Sequence, residues 1–291
     1  MFWPHTKVLV IGESMAQRGI KPALEFFSRD AEERRSVLLA ISQSRAEDII
    51  NAKVKTGGMP ALSLVNTMKQ YKSHSKTVEL NLNDYFRMYH SSTAIMFPTV
   101  SVVNEQGEDI GYHVAGSAIV NGEQLAGYLT PIQTRGVLWV IGKVKSGIIV
   151  ARCHGTEGRT PANKLAFEIM KADSKVKVEK SGERFRIKVQ IEEEGNLAEA
   201  SCSEEEINPD RIAQLEAIQK AEIEKEIQSA IMQAKKFKAD VFGFGEAIHR
   251  ADPVSWRSLK ENWSEIFPKL GIEIQVETKI VSSALNQRKS K

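Results

Sequence analysis

Six histidines are the side chains best suited to bind a transition metal or to move a proton at neutral pH. They stand at positions 5, 74, 90, 113, 154 and 249. No two of them follow the HxH, HxxxH or HExxH spacing that places metal ligands on one face of a strand or a helix. We therefore predict no metal site.

Motifs for nucleophilic catalysis and phosphate binding are also missing. The sequence contains no GxSxG elbow and no Walker pattern. Gly243-Phe244-Gly245 resembles the opening of a dinucleotide loop, but a third glycine and a surrounding βαβ pattern are absent. Paired carboxylates could come from Asp240 with Glu246, or from Glu192 to Glu194, yet nothing in the sequence marks either set as desolvated.

Two tryptophans form the remaining constellation. Trp256 and Trp263 are two helical turns apart, so we predict that they share a helix face. Core packing is the first interpretation, and a platform for a sugar or a protein partner is the alternative. His249-Arg250 ends a predicted helix, where cations interact favourably with the helix dipole.

These observations predict that the protein is not an enzyme and has no cofactor. The alternative is a site assembled only in three dimensions, in which His113 or His249 meets a buried carboxylate.

Length and charge restrict the class of protein. A chain of 291 residues exceeds a comfortable single core, so two or three domains are expected. The 40 basic and 37 acidic residues give a net charge of +3, and no dense basic stripe is interleaved with aromatic residues. We therefore predict no nucleic-acid partner. The two cysteines, Cys153 and Cys202, could form a disulfide, but a single pair says little.

The elements that must position these residues follow an α+β pattern. Strand and helix patterns alternate before position 56. Two helical segments and further strands follow, with a hairpin turn at Asn121-Gly122. Three strands are predicted at about Leu165–Lys171, Ser174–Lys180 and Arg184–Glu192. The last two alternate strictly between apolar and polar residues, which indicates an antiparallel sheet with one solvated face.

A long helix is predicted after the three strands. Asn208 and Pro209 are typical of its N-cap and first position, and its apolar residues stay near one face for some 28 residues. We expect it to lie across the sheet, or in part to await a partner. Helices at Ala239–Arg250 and Pro253–Phe267 and a strand at Gly271–Val281 complete the chain, and the acidic run Glu192–Glu206 is predicted to be a solvated connection.

The predicted fold is therefore a multi-domain mixture of α and β structure, whose C-terminal domain is an antiparallel sheet packed by a long amphipathic helix. The predicted domains are the remainder of an N-terminal α/β domain at 1–56, a small middle region at 57–111 and an α+β domain at 112–291.

Particular sequence motifs add a resemblance to a known family. Gly116 to Leu129 followed by Thr134 to Trp139 resembles the "G-A-V-F-K…L-V-G-x-L…E-T-R-G-L-L-W" stretch of the Ger(x)C family of spore germination proteins. The segment from Ala239 to Phe267 resembles the "D-x-F-G-x-G…R…P…W…W…F" segment of that family. Val8 to Asp30 is similar to its "G-E-x-L-A-x-x-G-I…R-D" block, so the ordered set covers nearly the whole chain.

The resemblance implies a C subunit of a nutrient germinant receptor. Such a subunit is a lipoprotein on the extracytoplasmic face of the spore inner membrane, acts with membrane-embedded A and B subunits, and has no enzymatic activity. The signature positions are expected to be structural or to mediate interactions; they are Gly116, Gly127, Trp139, Asp240, Gly243, Gly245, Arg250, Trp256 and Trp263. Direct binding of the germinant is the alternative function.

This sequence departs from the family pattern at its beginning. Family members start with a signal peptide, a lipid-modified cysteine and further strands, so we expect an N-terminally truncated chain whose anchor is absent. Read by itself the sequence predicts a soluble cytoplasmic protein, whereas the resemblance implies a membrane-anchored one. Ser282-Ser283 also replaces a glycine that often follows the last strand of the family.

Overall fold

The computed structural model describes residues 6–29, 36–52, 59–89, 91, 93–105, 108–152, 164–182, 184–201 and 208–283. It confirms the predicted α+β class. The chain forms two compact units, of which the first comprises Met1–Tyr71, Lys76–Thr134 and Ala230–Leu270, and the second Lys72–Ser75, Arg135–Ser229 and Gly271–Lys291. Cys153, Cys202, His5, His90 and His154 lie outside the described residues. The predicted division into three domains stays a prediction.

The first unit is built on a five-stranded mixed sheet in the order β1-β2-β3-β4-β5. Its strands are β1 (Val8–Gly12), β2 (Leu38–Ser42), β3 (Ile95–Glu105), β4 (Glu108–Asn121) and β5 (Gln124–Leu129). The first three strands are parallel, and the last two pairings are antiparallel. Within the described part of the chain β1 pairs only with β2, so it is an edge strand.

Short helices cover this sheet. They are α1 (Glu13–Arg18), α2 (Lys21–Arg29), α3 (Ala46–Asn51), α4 (Pro60–Lys69) and α5 (Leu82–Tyr89). One apolar cluster includes Ile20, Leu39, Tyr85 and Phe97, and a second includes Ile49, Met68 and Val100. The buried strand β2 supplies residues to both clusters because its successive side chains point to opposite faces.

The second unit contains a four-stranded sheet in the order β6-β7-β8-β9. These strands are β6 (Gly147–Arg152), β7 (Lys164–Ser181), β8 (Arg184–Ala200) and β9 (Gly271–Ser283). The first two pairings are antiparallel and the last is parallel, so the sheet that was predicted to be antiparallel is only mostly so. The prediction of three separate strands was wrong, because β7 is continuous through the two segments that were read as separate.

A bulge explains that error. The pairing of β7 with β8 shifts register between Ile169 and Lys171. An extra residue in one strand reverses which side chains face the core, so odd positions such as Phe167 are buried before it and the even position Val178 faces inward after it. The alternation therefore breaks in the sequence while the strand itself continues.

Two helices precede and follow the first three strands of the second sheet in the chain: α6 (Pro131–Val140) and the much longer α7 (Pro209–Lys236). The side-chain oxygen of Asn208, Oδ1, accepts a hydrogen bond from the Arg211 backbone N–H at 2.8 Å, which confirms the predicted N-cap. Within the second unit α7 lies against the sheet. Gln219 of α7 donates to Glu193 of β8, and Thr278 Oγ1 of β9 donates to the Glu216 carbonyl of α7 at 2.8 Å. No helix of the described ranges is both long and apolar enough to cross a bilayer.

The last helices differ from their predicted bounds. The helix predicted at Ala239–Arg250 begins only at Phe244, as α8 (Phe244–Ala251), because Gly243 has a left-handed backbone with φ of 74°. The helix predicted at Pro253–Phe267 is divided into α9 (Pro253–Leu259), a 3₁₀ turn, α10 (Trp263–Ile266) and a second 3₁₀ turn. Trp256 and Trp263 therefore lie on different helices, not on one.

The prediction for the acidic run Glu192–Glu206 is wrong in part. Glu192 to Glu199 belongs to β8, and Glu193 is buried with 2% of its surface exposed. Its inward direction follows from the alternation that buries Ile191 and Leu197. The prediction of a solvated connection fails for this residue, and the end of the run from position 202 lies outside the described residues.

Candidate functional site

Asp240 organises the turn before α8. Its Oδ1 accepts the backbone N–H groups of Phe242 and Phe244, both at 3.2 Å. Its Oδ2 accepts the Gly245 N–H at 2.7 Å and the Trp263 indole N–H at 3.1 Å. A single buried carboxylate thus satisfies four donors, two of which belong to the first turn of a helix. We call these five residues the Asp240 cap.

The neighbouring glycines fit this arrangement for different reasons. Gly243 provides the left-handed conformation that turns the chain into α8. Gly245 lies under two rings, since a Cβ there would be 2.7 Å from Trp256 Cη2 and 2.9 Å from Trp263 Nε1. Any side chain at position 245 would therefore displace the indole that donates to Asp240.

The tryptophans pack in the interior. The Trp256 and Trp263 rings meet edge to face with centroids 5.1 Å apart, and they are 4% and 5% exposed. This geometry is typical of favourable aromatic packing. The core interpretation is confirmed, and the alternative of an exposed binding platform is wrong.

The Asp240 cap bears on two hypotheses from the sequence, a dinucleotide-binding loop at Gly243-Phe244-Gly245 and a catalytic pair of Asp240 with Glu246. The N–H groups that could hold a phosphate at the start of α8 are already bonded to Asp240, so the dinucleotide-loop hypothesis fails. Burial raises the pKa of the Asp240 carboxyl above its ordinary value, while the four hydrogen bonds that it accepts oppose the rise. Its carboxylate accepts hydrogen bonds from structural donors and has none with Glu246, so these two carboxylates do not form a pair.

A second buried polar assembly joins α6 to α7 within the second unit. Arg135 and Glu226 form a two-point ion pair, in which Arg135 Nε donates to Glu226 Oε2 at 2.9 Å and Nη2 donates to Oε1. The Trp139 indole N–H donates to the same Oε2 at 3.0 Å, and Arg135 Nη1 donates to the Ile148 carbonyl at 2.9 Å. We call Arg135, Trp139 and Glu226 the buried triad.

Trp139 is the member of the buried triad that the signature positions included. Arg135 and Glu226 were missed, although Arg135 stands in the Thr134–Trp139 motif of the family resemblance and Glu226 carried a signal of its own. Glu226 stands beside Ile227 and three residues after Ile223, on the apolar stripe of α7. A charged residue on such a stripe requires a buried partner. Only the tertiary structure shows which residue that partner is.

A third buried polar pair lies under α7. Gln219 Nε2 donates to Glu193 Oε2 at 2.7 Å, while Glu193 Oε1 and Gln219 Oε1 have no hydrogen-bond partner within the described residues. Gly195 provides the space, because a Cβ there would be 2.6 Å from Glu193 Oε1. Burial raises the pKa of Glu193 to about 8 from an ordinary value of 4.5, and the nearby Glu194 adds to the rise.

Glu193 should make the stability of the protein depend on pH. Its pKa is higher in the folded than in the unfolded chain, so the folded state binds more protons between about pH 4.5 and pH 8. We expect the free energy of unfolding to fall as pH rises through this range and to level off above it. Glu193→Gln should remove most of this slope and be the more stable protein, by a few kcal/mol, on the alkaline side.

Urea unfolding of both proteins at a series of pH values measures the effect. The exposed neighbour Glu192, replaced as Glu192→Gln, is the control and should leave the slope in place. Parallel pH profiles for the Glu193→Gln variant and the parent would contradict the assignment.

The two remaining signature glycines are positions of close packing in the first unit. Gly116 lies in β4, where a Cβ would be 2.6 Å from the Leu129 carbonyl oxygen. Gly127 lies in β5, where a Cβ would be 2.3 Å from Phe237 Cζ. Each glycine therefore admits a group that a side chain would exclude.

Arg250 is the exposed member of the signature set. It lies in the last turn of α8 and has no hydrogen-bond or ion-pair partner among the described residues. Its neighbour His249 is also exposed and is 3.7 Å from the partly exposed Glu246. His113 is exposed on β4. Neither histidine contacts a buried carboxylate in the described part of the chain, and no three metal-ligand side chains converge there.

Family comparisons match the chain in two blocks. The family described as "Spore germination protein N-terminal domain" matches residues 1–102. The family described as "Spore germination B3/ GerAC like, C-terminal" matches residues 115–284, which is more than half of the chain. The second match contains all nine signature positions.

Individual relatives agree with these matches. Spore germination protein YndF of Bacillus subtilis is 27% identical over 96% of this chain and 68% of its own length. Spore germination protein KC of the same organism is 24% identical over 98% of this chain and 73% of its length. The crystal structure of the GerBC protein has a TM-score of 0.75 at 21% identity, covering 95% of this chain and 79% of that one, which supports the fold.

Proposed function

Because the chain belongs to the spore germination B3/GerAC-like family, we propose that it is the non-catalytic C subunit of a nutrient germinant receptor. In this proposal it acts by contact with the A and B subunits, on the extracytoplasmic face of the spore inner membrane, where a lipid anchor would hold it. The observation that carries the proposal is the pair of family matches, which follow each other in chain order.

The chemistry of the buried residues supports a binding role. The carboxylates of Asp240 and Glu226 are directed to structural donors, so both serve to hold the fold. Most of the signature positions likewise pack against other residues of the same chain; these are Gly116, Gly127, Gly245, Trp139 and Trp256. Their role in the proposal is to shape the surface that the partners meet.

Arg250 is the signature residue that we assign to the partner contact. An exposed guanidinium can form a two-point hydrogen bond with a carboxylate of another subunit, and interfaces are enriched in arginine. Val254, which is 76% exposed on the adjoining helix, offers an apolar contact close to it in the chain. Arg250 and Val254 thus offer one charged and one apolar group to the proposed contact.

Co-purification tests this function. An epitope-tagged chain should retain the A and B subunits when it is isolated from detergent-solubilised spore membranes. Arg250→Glu should reduce their recovery at least about tenfold, since a reversed charge meets the partner carboxylate, and should leave the unfolding temperature unchanged. Lys69→Glu, a reversal on the exposed side of α4, is the matched control.

Two outcomes would contradict the proposal. One is recovery of the tagged chain without either subunit. The other is a normal nutrient response in spores from which the gene has been deleted. Saturable binding of the nutrient to the purified chain alone would instead support the alternative of direct germinant binding.

A further inference from the structure

The end of the β7–β8 hairpin concentrates positive charge. Between Lys175 and Lys188 the sequence has six basic and two acidic residues, a net charge of +4 against +3 for the whole chain. The remainder of the chain is therefore close to neutral in net charge.

Strand register places most of these cations on one face. Lys177 is paired with Lys188, Arg186 with Glu179, and Arg184 with Ser181. Ile187 and Val189 alternate with them and are fully buried, so the cations point away from the core. We call this surface the basic face; it comprises Lys175, Lys177, Arg184, Arg186 and Lys188.

The charges on the basic face are poorly compensated. Lys177 lies directly opposite Lys188, and like charges at paired positions of a sheet destabilise it. Lys188 has a carboxylate 3.5 Å away, that of Glu273 on β9. Arg186 lies at the position paired with Glu179, so that its charge is offset in part. Lys175, Lys177 and Arg184 are in no ion pair within the part of the chain that the structure describes. A fold that tolerates this repulsion keeps a positive potential available to a ligand.

The opposite end of the same sheet face has the reverse character. Register places Asp173, Glu192 and Glu277 side by side across three strands, with Lys171, Glu194 and Lys279 in the next row. The charges are therefore segregated along this face, with acidic residues in excess at this end and basic residues in excess at the hairpin end.

We propose that the basic face binds the surface of a bilayer rich in anionic phospholipid. Lysine and arginine side chains are long enough to reach headgroup phosphates while the strands stay above the surface. The cations lie in rows on an open sheet face, about 7 Å apart along each strand. Headgroups move laterally and can match any such spacing, whereas a protein partner would need carboxylates at matching positions. Anionic lipid is thus the occupant that this surface fits best.

Vesicle co-sedimentation of the purified chain tests the proposal. The chain should sediment with phosphatidylcholine vesicles that contain phosphatidylglycerol, should not sediment with phosphatidylcholine alone, and should be released by added salt. Lys177→Gln with Arg186→Gln should weaken the partition about tenfold, because each cation near an anionic surface contributes to binding. Both residues are exposed, and an unchanged unfolding curve checks that the variant folds.

The control removes two cations from the acidic end of the same face. Lys171→Gln with Lys279→Gln changes the net charge equally and should leave the partition within about twofold of the parent. Equal binding to both vesicle types, or equal losses in both variants, would overturn the proposal. Retention on immobilised polyglutamate without binding to phosphatidylglycerol would overturn it in favour of an acidic protein partner. The assay requires no receptor subunit, so its failure would leave the proposed function untouched.

Discussion

Replacing Asp240 by alanine is expected to cost about 3–5 kcal/mol of the free energy of unfolding. The substitution leaves three backbone N–H groups and the Trp263 indole N–H without an acceptor in a buried place. Each buried donor that loses its partner costs about 1–3 kcal/mol. Asp240→Asn should also destabilise, because one oxygen becomes an NH₂ group that faces donors.

Denaturant unfolding followed by tryptophan fluorescence measures this loss, and amide hydrogen exchange locates it. The Phe244 and Gly245 amides should exchange much faster in the Asp240→Ala variant. Asp252→Ala is the matched control, because Asp252 caps α9 by accepting the Ser255 N–H at 2.9 Å in a partly buried place. An ordinary cap contributes about 1 kcal/mol, so similar losses for the two variants would contradict the special role of Asp240.

Breaking the buried triad is the second large effect. Arg135→Met leaves the Glu226 carboxylate buried without its counter-charge, and we expect a loss of about 3–5 kcal/mol. Adding Glu226→Gln should restore much of this loss, because the amide is neutral and its oxygen still accepts the Trp139 N–H. The double variant should therefore be more stable than Arg135→Met alone.

A double-mutant cycle from thermal or denaturant unfolding gives the coupling between the two residues. The exposed pair Lys238 and Glu265, joined at 2.6 Å, is the control, and Glu265→Gln should change stability little because water screens such pairs. A double variant no more stable than Arg135→Met would show that the cost is lost packing and not an unpaired charge.

In the proposed function, the Asp240 cap would act by holding the shape of the contact surface. The Asp240 cap fixes α8, and α8 carries Arg250 in its last turn. A variant that loosens the cap should therefore reduce partner recovery together with stability, whereas Arg250→Glu should reduce recovery alone. This difference separates residues that position the surface from the residue assigned to the contact.

The regular elements were predictable where local rules are strong. Asn208 and Pro209 start α7 as predicted, and a tight turn at Gly122 connects β4 to β5 where Asn121-Gly122 predicts a hairpin. Predictions failed where a local pattern was interrupted for a tertiary reason. The bulge near Lys171 divides one strand into two patterns, and Gly243 delays the helix predicted from Ala239. The same holds at Glu193, which was read as solvated because its neighbours in the sequence are acidic.

The sequence by itself determined the α+β class and the order of most elements, and its motifs determined the family. These properties depend on periodicity, turn residues and ordered motifs, all of which are local. Only the tertiary structure decided which charged residues are buried and what they hold, because Asp240 and Trp263 or Arg135 and Glu226 are distant in the chain. The partner that offsets the desolvation of a buried charge is chosen by packing, and no spacing in the sequence records it.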